Sequence, residues 1–422
     1  MRTPPMLNAQ LEYVFGKSPF YREKLRAAGL NAADVIGDLS RLPFTTKKEV
    51  LADQESHPPY GSNLTVGIER VRRVHKTSGT TGKPLFIAMT ERDIAETVKI
   101  GAKCFHSSGL RAGMVVVHCL NYNMWAGGYT DHQSLETTGA AVIPFGVGNS
   151  KTLIETILYL RPTAIHCTPS YLAKLETHLK EEFQMKPLDL GLKLGLFGGE
   201  SGMQNREFRA NIEKTWGLKA MNANYGLSEV LSMFGAECEH QDGLHFLGGS
   251  VLLLELIDPR TEKTLPIEKD VVGELVMTNL LREAQPLVRY RTNDMARVLS
   301  TDRCRCGETG FRFEIVGRSD DMIVVKGLNV YVGTIEKVIN AHLDTLTGVC
   351  QIHINEEEPI DRMVILLELR DEARAAGAEP ALRAALVKEF KERITITPEL
   401  RLEKEHSLGR TEGKTKKVFR IL

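Results

Sequence analysis

Eight consecutive residues, TSGTTGKP from Thr77 to Pro84, combine hydroxyl groups, glycines and one lysine. Glycines let a backbone approach a polyphosphate closely, hydroxyl and amide groups donate hydrogen bonds to its oxygens, and a lysine adds positive charge. The segment is not a Walker A loop, because Gly79 and Gly82 are too close and Pro84 stands where that loop has its magnesium-binding Ser or Thr. Taken alone, it is either a nucleotide-binding loop or a β-turn without a ligand.

A second group of residues with metal-binding chemistry is the pair Cys304 and Cys306, with Cys238, His240 and His245 upstream. Two thiolates, together with a Cys/His pair from a separate segment, can hold zinc in a closed tetrahedral site, which is typical of a structural metal. Because a C-x-C pair is less specific than C-x₂-C, four unrelated reduced side chains remain the alternative at this point.

The bulk composition limits the classes of function. A chain of 422 residues predicts two or three domains. Lys and Arg total 54 against 54 for Asp and Glu, so charge gives no reason to expect nucleic acid or an anionic membrane as the main partner. The N-terminus has no apolar run typical of a signal peptide, and no stretch has the apolar length of a membrane span. Seven scattered cysteines favour a reducing, cytoplasmic location over a disulfide scaffold.

The elements that must position these residues follow three patterns along the chain. From about Leu39 to Phe234, short apolar runs alternate with amphipathic stretches, which predicts strands and helices in parallel βαβ order. Thr90 and Asp93 form a predicted capping box at the start of one helix. After Gly243 the segments become β-rich, which predicts an added sheet or distorted barrel. Beyond Arg318 a small α+β domain is expected.

Five segments resemble, in order, the motifs of the adenylate-forming superfamily of acyl-CoA synthetases, luciferases and peptide-synthetase adenylation domains. These segments are TSGTTGKP from Thr77, YGLSE from Tyr225, YRTND from Tyr290, GRSDDMIVVKG from Gly317 and GRTEGKTKKV from Gly409. The phenylacetate-CoA ligase branch is the most similar, and the likeness covers nearly the whole chain. The resemblance implies an α/β adenylation domain at 1–319 with parallel βαβ layers and a β-rich subdomain. It also implies a small mobile α+β domain at 320–422.

The resemblance also implies three catalytic residues. Thr81 contacts the phosphates of ATP, Glu229 binds Mg²⁺, and Lys414 bridges the attacking carboxylate and the α-phosphate. Thr80 and Lys83 act with Thr81 on the β- and γ-phosphates. The remaining loop residues assigned to nucleotide binding are Thr77, Ser78, Gly79 and Gly82.

Further nucleotide contacts come from the other motifs. Tyr225 stacks on adenine, and Gly226 and Ser228 of the same motif join the site. The remaining implied roles are groove lining for Gly199 and Glu200, a ribose contact for Asp294, a ribose and phosphate contact for Arg318, a hinge for Asp320, and passage of the pantetheine arm for Gly327.

The segment Asn121–His132 lies where this branch builds its acyl pocket. The residues predicted to line this pocket are Tyr122, Met124, Trp125, Gly127 and Gly198. Aromatic side chains suit a flat apolar slot for an aryl ring, although buried aromatics are also ordinary core residues. Ala223 and the segment LGGS after His245 depart from the branch pattern, so the acid is either phenylacetate-like or another aryl acid with a hydroxyl or amino substituent.

Some members of the branch carry zinc on a C-x₆-H and C-x-C arrangement, which Cys238, His245, Cys304 and Cys306 match.

The activity that the resemblance implies is ATP-dependent formation of an acyl-AMP, then an acyl-CoA thioester, with ATP, Mg²⁺, coenzyme A and a structural Zn²⁺. The alternatives are a stand-alone adenylating enzyme that loads a carrier-protein thiol or an amine, and a non-catalytic scaffold. Retention of Glu229, Asp294 and Lys414 argues against the scaffold. The sequence leaves a homodimer open.

Overall fold

A computed structural model describes residues 5–36, 38–77, 83–200, 202–320, 322–326, 328–357, 359–408 and 418–421. The chain divides into two compact units. The larger unit comprises Met1–Gln204, Ala210–Thr292 and Arg297–Glu314, and the smaller comprises Asn205–Arg209, Asn293–Ala296 and Ile315–Leu422. The boundary between residues 319 and 320 and the hinge at Asp320 stay predictions.

The larger unit begins with helices that cover one part of its core. They are α1 (Pro5–Lys17), α2 (Pro19–Ala27), α3 (Ala32–Ile36) and α4 (Lys47–Ser56). Leu11, Val14 and Tyr21 from this region are fully buried and pack in one cluster with Leu42 and Val288. The phenol of Tyr21 also accepts a hydrogen bond from the backbone N–H of Val288 at 2.7 Å. These contacts fix the N-terminal helices against a distant part of the chain.

An antiparallel hairpin and a series of alternating strands and helices follow. The hairpin consists of β1 (Val71–Lys76) and β2 (Phe86–Thr90). The alternating elements are α5 (Glu91–Ser107), β3 (Val115–His118), α6 (Ala126–Thr137), β4 (Ala141–Pro144), α7 (Ser150–Leu160), β5 (Ala164–Cys167), α8 (Pro169–His178), β6 (Leu194–Gly198), α9 (Arg206–Trp216) and β7 (Lys219–Leu227). The predicted capping box is confirmed: Asp93 N–H donates to Thr90 Oγ1 at 3.1 Å, and Thr90 N–H donates to Asp93 Oδ2 at 3.0 Å.

The β-rich part continues the same sheet. Its strands are β8 (Leu231–Ala236), β9 (Leu244–Phe246), β10 (Leu252–Ile257), β11 (Thr264–Leu265), β12 (Val272–Asn279), β13 (Tyr290–Ser300) and β14 (Arg312–Arg318). The order is β11-β10-β12-β13-β14-β9-β8-β7-β6-β5-β3-β4. Strand β7 pairs in parallel with β6 and antiparallel with β8. The β-rich part, expected from the sequence as an added sheet or distorted barrel, extends the parallel part into one continuous mixed sheet, because the long strand β7 pairs with both parts.

The smaller unit has its own α+β core. Its remaining elements are β15 (Met322–Val325), β16 (Leu328–Tyr331), α10 (Val332–Asn340), β17 (Leu346–Ile354), β18 (Met363–Leu369), α11 (Asp371–Ala375), α12 (Glu379–Ile394), β19 (Glu399–Glu403) and β20 (Val418–Arg420). The four-stranded sheet has the order β19-β18-β17-β20. Buried Ile335, Val338, Leu386 and Phe390 from α10 and α12 belong to its hydrophobic core. The expected α/β class with a small α+β domain is confirmed.

The parallel strands create the position at which a ligand site is expected. In the order β7-β6-β5-β3-β4, the connection after β3 leads toward β4, whereas the connection after β5 leads toward β6. Adjacent strands whose connections run in opposite directions form a crevice at their carboxyl ends, where open α/β sheets bind ligands. Separately, the described part of the chain contains no helix with the length and apolar character needed to span a bilayer.

Candidate active site

The ends of the predicted phosphate loop are tied together by the hairpin that carries it. Thr77 N–H donates to the carbonyl of Leu85 at 2.9 Å, and Leu85 N–H donates to Thr77 Oγ1 at 3.0 Å. Lys83 lies on the surface, where its Nζ pairs with Glu55 at 2.8 Å. The other predicted residues of this loop lie outside the described part of the chain; they are Ser78, Gly79, Thr80, Thr81 and Gly82.

Glu229, the predicted magnesium ligand, is held by two residues that the sequence motifs did not assign. It lies between β7 and β8 and is 8% exposed. Its Oε1 accepts a hydrogen bond from Tyr290 Oη at 2.9 Å and pairs with Lys47 Nζ at 3.2 Å. We find no such contact for Oε2 among the described residues. Tyr290 is the first residue of the YRTND motif, whereas Lys47 lies in none of the five motifs.

The predicted adenine-stacking residue, Tyr225, lies in β7 and is half-buried. Its ring makes edge contacts with Phe234 and Phe313, at centroid distances of 5.2 and 5.6 Å. The next residue, Gly226, has a packing reason for being glycine, because an added Cβ would lie 2.2 Å from the carbonyl oxygen of Ser232. Ser228, the third predicted residue of this motif, is half-buried between β7 and β8. The end of β7 and the turn that follows it therefore hold the aromatic ring of Tyr225 and the carboxylate of Glu229 four residues apart in the chain.

The glycines after β6 and the following glutamate lie at the carboxyl end of the parallel strands. Gly199 has a φ of +77°, a left-handed conformation that favours glycine. An added Cβ at Gly198 would lie 2.5 Å from the Cβ of Asn224. Glu200 accepts hydrogen bonds from Ser170 Oγ at 2.9 Å and from Ser170 N–H at 3.2 Å, in the first turn of α8. Glu200 thus links the β6 turn to the start of α8.

Three predicted residues of the smaller unit form one ion-pair cluster. Arg318 donates from Nη1 to Asp294 at 3.0 Å, and from Nε and Nη2 to the two oxygens of Asp320 at 2.8 Å each. Asn293 Nδ2 donates to Asp320 at 3.3 Å. The predicted ribose ligand and the predicted hinge residue therefore share one arginine. Two further predicted residues, Gly327 and Lys414, lie outside the described part of the chain.

The predicted acyl-pocket segment runs from the loop after β3 into the first half of α6. Tyr122 is half-buried, its hydroxyl lies 2.9 Å from His132 Nδ1, and burial raises the pKa of its phenol above the ordinary value. Met124 adopts a φ of +60°, and its carbonyl accepts from Lys76 N–H at 2.9 Å. The side chains of Met124 and Trp125 are 41% and 40% exposed. Of the three large predicted residues, Tyr122 is the one directed into the protein.

The four predicted zinc ligands converge. Their donor atoms all lie within 4.8 Å of one another, and Cys238, His245 and Cys304 are buried. Cys238 Sγ lies 3.8 Å from Cys304 Sγ, and Cys306 Sγ lies 3.7 Å from His245 Nε2. Thiolates about 2.3 Å from a tetrahedral zinc lie about 3.8 Å apart. The donor set and its spacing therefore fit zinc, which would join the segments after β8, in β9 and between β13 and β14.

Comparisons with known proteins agree with this arrangement of fold and motifs. Residues 45–280 match the family described as AMP-binding enzyme, and residues 327–420 match the AMP-binding enzyme C-terminal domain. The phenylacetate-coenzyme A ligase of Pseudomonas putida is 33% identical, over 98% of this chain and 92% of that protein. The enzyme of the same name from Thermus thermophilus is 33% identical, over 96% of this chain and 93% of that protein.

Solved structures give the same result. A 2-hydroxyisobutyryl-CoA ligase in the postadenylation state, in complex with 2-HIB-AMP, is 26% identical with a TM-score of 0.85 over 98% of this chain and 88% of that chain. An open conformation of that ligase, in complex with 2-HIB-AMP and CoA, has a TM-score of 0.78 over 98% of this chain and 90% of that chain.

The chain therefore belongs to the AMP-binding, adenylate-forming enzyme superfamily. Within it, the protein is an AMP-forming acid–CoA ligase similar to the phenylacetate-CoA ligases.

Proposed function

We propose that this ligase activates an aryl carboxylic acid, either phenylacetate-like or a substituted benzoate, and transfers the acyl group to coenzyme A. The observation that carries this proposal is the similarity, over nearly the whole chain, to two ligases named for phenylacetate. The aromatic side chains of Tyr122 and Trp125, in the segment after β3, support an aryl substrate.

In the first step, a carboxylate oxygen of the acid attacks the α-phosphorus of ATP. The new O–P bond forms as the bond to pyrophosphate breaks, giving an acyl-AMP. Such a step depends on positioning and on charge stabilisation rather than on a protein base. Lys414 supplies the cation at the reacting phosphorus. Asp294 and Arg318 orient the ribose, and Tyr225 stacks on adenine.

Glu229 would hold Mg²⁺, which screens the phosphate charges when bound. Its carboxylate suits this ion because it is a hard oxygen ligand, and its Oε1 is already fixed by Tyr290 and Lys47. The protein's contribution is to hold the Glu229 carboxylate in one orientation before the ion binds. Zinc at Cys238, His245, Cys304 and Cys306 would be structural, since four protein ligands leave no open position.

In the second step, the thiol of coenzyme A attacks the acyl carbon. The new S–C bond forms, the C–O bond to AMP breaks so that AMP leaves, and the thiol proton is released to solvent. Gly327 leaves room for the pantetheine arm as the small domain rotates about Asp320. A cytoplasmic location is part of this proposal, and the seven cysteines are all free thiols.

The test is a pyrophosphate-exchange screen over aryl and aliphatic acids, followed by detection of acyl-CoA for each active acid. We expect exchange with at least one aryl acid and formation of its CoA thioester. Exchange with aliphatic acids alone would refute the aryl assignment. Release of AMP without a thioester would favour the alternative, transfer to a carrier-protein thiol or an amine.

A further inference from the structure

Four polar side chains to which the sequence assigned no role, three of them buried, form a row at the carboxyl ends of the parallel strands. His118 ends β3, His166 lies in β5, Asp131 lies in α6 and Asn224 lies in β7. His118, His166 and Asp131 are each 0% exposed. Strands β3 and β5 flank the crevice at which the strand connections reverse direction. The chain of side chains therefore lies where this fold class binds its ligands.

The hydrogen bonds assign the protons on the two histidines. Burial lowers the pKa of His118 to about 4 and that of His166 well below its ordinary value, so both rings are neutral near pH 7. A neutral imidazole has one N–H. His118 Nε2 must donate to the Gly128 carbonyl at 2.8 Å, so its Nδ1 accepts from His166 Nδ1–H, also at 2.8 Å. This assignment leaves His166 Nε2 as an acceptor.

Asp131 presents the complementary group. Asp131 is fully buried, and no Lys or Arg pairs with it in the described part of the chain, so an ionised carboxylate there would be an uncompensated buried charge. The neutral acid is therefore the favoured form, and burial accordingly raises the pKa of this carboxyl well above its ordinary value. Asn224 Nδ2 donates to Asp131 Oδ2, which places the carboxyl proton on Oδ1. Oδ2 lies 3.9 Å from His166 Nε2, too far for a hydrogen bond. In the described part of the chain, neither Asp131 Oδ1 nor His166 Nε2 has a hydrogen-bond partner.

The pair therefore presents one acceptor and one donor, both buried and unpaired. Burial of unpaired polar atoms is unfavourable, and native proteins rarely retain them without a partner of some kind. A hydroxyl group satisfies both atoms together, because it can donate to His166 Nε2 while accepting from Asp131 Oδ1–H.

The predicted acyl-pocket segment includes Asp131 and also contacts His118, which is hydrogen-bonded to His166. The ring of Tyr122 lies 5.3 Å from the ring of His118. A Cβ added at Gly127 would lie 3.5 Å from Asp131 Oδ2, so the backbone of this predicted pocket residue lies close to the carboxyl group.

We propose that Asp131 and His166 form a recognition site for a hydroxyl group on the acid substrate, and thus determine specificity. This inference rests on the proposed activation of a carboxylic acid and refines its substrate class. Because both atoms are fully buried, the hydroxyl enters by displacing a neighbouring side chain, and half-buried Tyr122 is the one we expect to move.

The test compares matched acids in pyrophosphate exchange: phenylacetate and benzoate against their ring-hydroxylated and amino derivatives, and isobutyrate against 2-hydroxyisobutyrate. We expect kcat/KM for at least one hydroxylated acid to exceed that of its parent at least tenfold. Asp131→Ala should reduce this ratio to about one or below. Asp131→Asn should keep most of it, because an amide retains one donor and one acceptor.

Cys104→Ala is the matched control, since Cys104 is fully buried near Asp131 but lies outside the hydrogen-bonded chain. It should leave the ratio unchanged. Thermal unfolding checks that each variant folds. If Asp131→Ala does not fold, His166→Met is used in its place.

The outcomes separate this inference from the proposed function. If no acid supports exchange with the wild-type enzyme, both fail. If acids are activated but the ratio is the same in wild type, Asp131→Ala and His166→Met, the pair is only a structural part of the core and this inference alone fails. A preference for amino over hydroxyl derivatives would also overturn the hydroxyl assignment.

Discussion

At the scale of single residues, the contacts of Glu229 show how the proposed magnesium ligand is held. One carboxylate oxygen is fixed by a buried phenol and a lysine, both distant in sequence. A carboxylate held in one orientation binds a metal without first losing side-chain freedom. If Glu229 binds Mg²⁺ as proposed, Tyr290 and Lys47 are positioning residues that act through Glu229 rather than through the substrate.

Tyr290→Phe tests this positioning role. The substitution removes the hydrogen bond to Glu229 and keeps the ring, so we expect kcat/KM for pyrophosphate exchange to fall about tenfold, which corresponds to about 1.4 kcal/mol. The Mg²⁺ concentration for half-maximal exchange should rise. Tyr159→Phe is the matched control, because Tyr159 is 86% exposed. An unchanged Mg²⁺ dependence in Tyr290→Phe would contradict the role.

At the scale of elements, the start of α6 is fixed by close packing. A Cβ added at Gly128 would lie 2.2 Å from the carbonyl oxygen of Asn121 and 2.8 Å from the Cα of Tyr122, both backbone atoms. The nearest atoms to a Cβ at Gly127 lie 3.5 Å away, which is ordinary contact. Two adjacent glycines in the same helix therefore have opposite tolerance to substitution.

Gly128→Ala should destabilise the larger unit by about 2 kcal/mol, since backbone in the way of a new methyl group has to move. Gly127→Ala should change stability by less than about 0.5 kcal/mol. Urea unfolding of both variants and the wild type measures the difference. Equal stability of the two variants would show that the first turn of α6 adapts more easily than its geometry indicates.

The Cys/His cluster also acts at the scale of elements, because zinc would join three separate segments of the β-rich part. We expect one zinc per chain in protein purified without added metal. Cys304→Ser should lose the metal and lower the unfolding temperature by several degrees. Cys350→Ser, in β17 of the smaller unit, is the control and should keep its zinc. Wild-type protein free of zinc by metal analysis would reject the site.

At the scale of the whole molecule, the proposed cycle assigns the first half-reaction to Lys414 and the second to Gly327. Lys414→Ala should reduce pyrophosphate exchange at least a hundredfold, yet spare thioester formation from supplied acyl-AMP and CoA. Gly327→Leu should do the reverse, because a side chain blocks the pantetheine arm. Lys416→Ala is the control for loss of a neighbouring charge. A parallel loss of both half-reactions in both variants would exclude separate roles for the two residues.

Sequence was sufficient for the features that depend on local pattern. The capping box at Thr90, the alternating strands and helices, and the ordered motifs are encoded in short stretches, so family, fold class and activity class followed from them. The sequence also identified the four Cys and His residues whose donor atoms converge. The prediction that they converge came from the family resemblance, because their spacing alone left it open.

Tertiary structure decided which distant residues meet. Lys47 and Tyr290 carry no local sign that they hold Glu229, and the continuous sheet depends on how β7 pairs on its two sides. The same is true of Asp131, His118 and His166. In the sequence they are ordinary polar residues of α6, β3 and β5, and only the packing of these elements brings them together. Their chemistry depends on burial and on contacts between distant segments, and neither can be predicted from the residues next to them in the sequence.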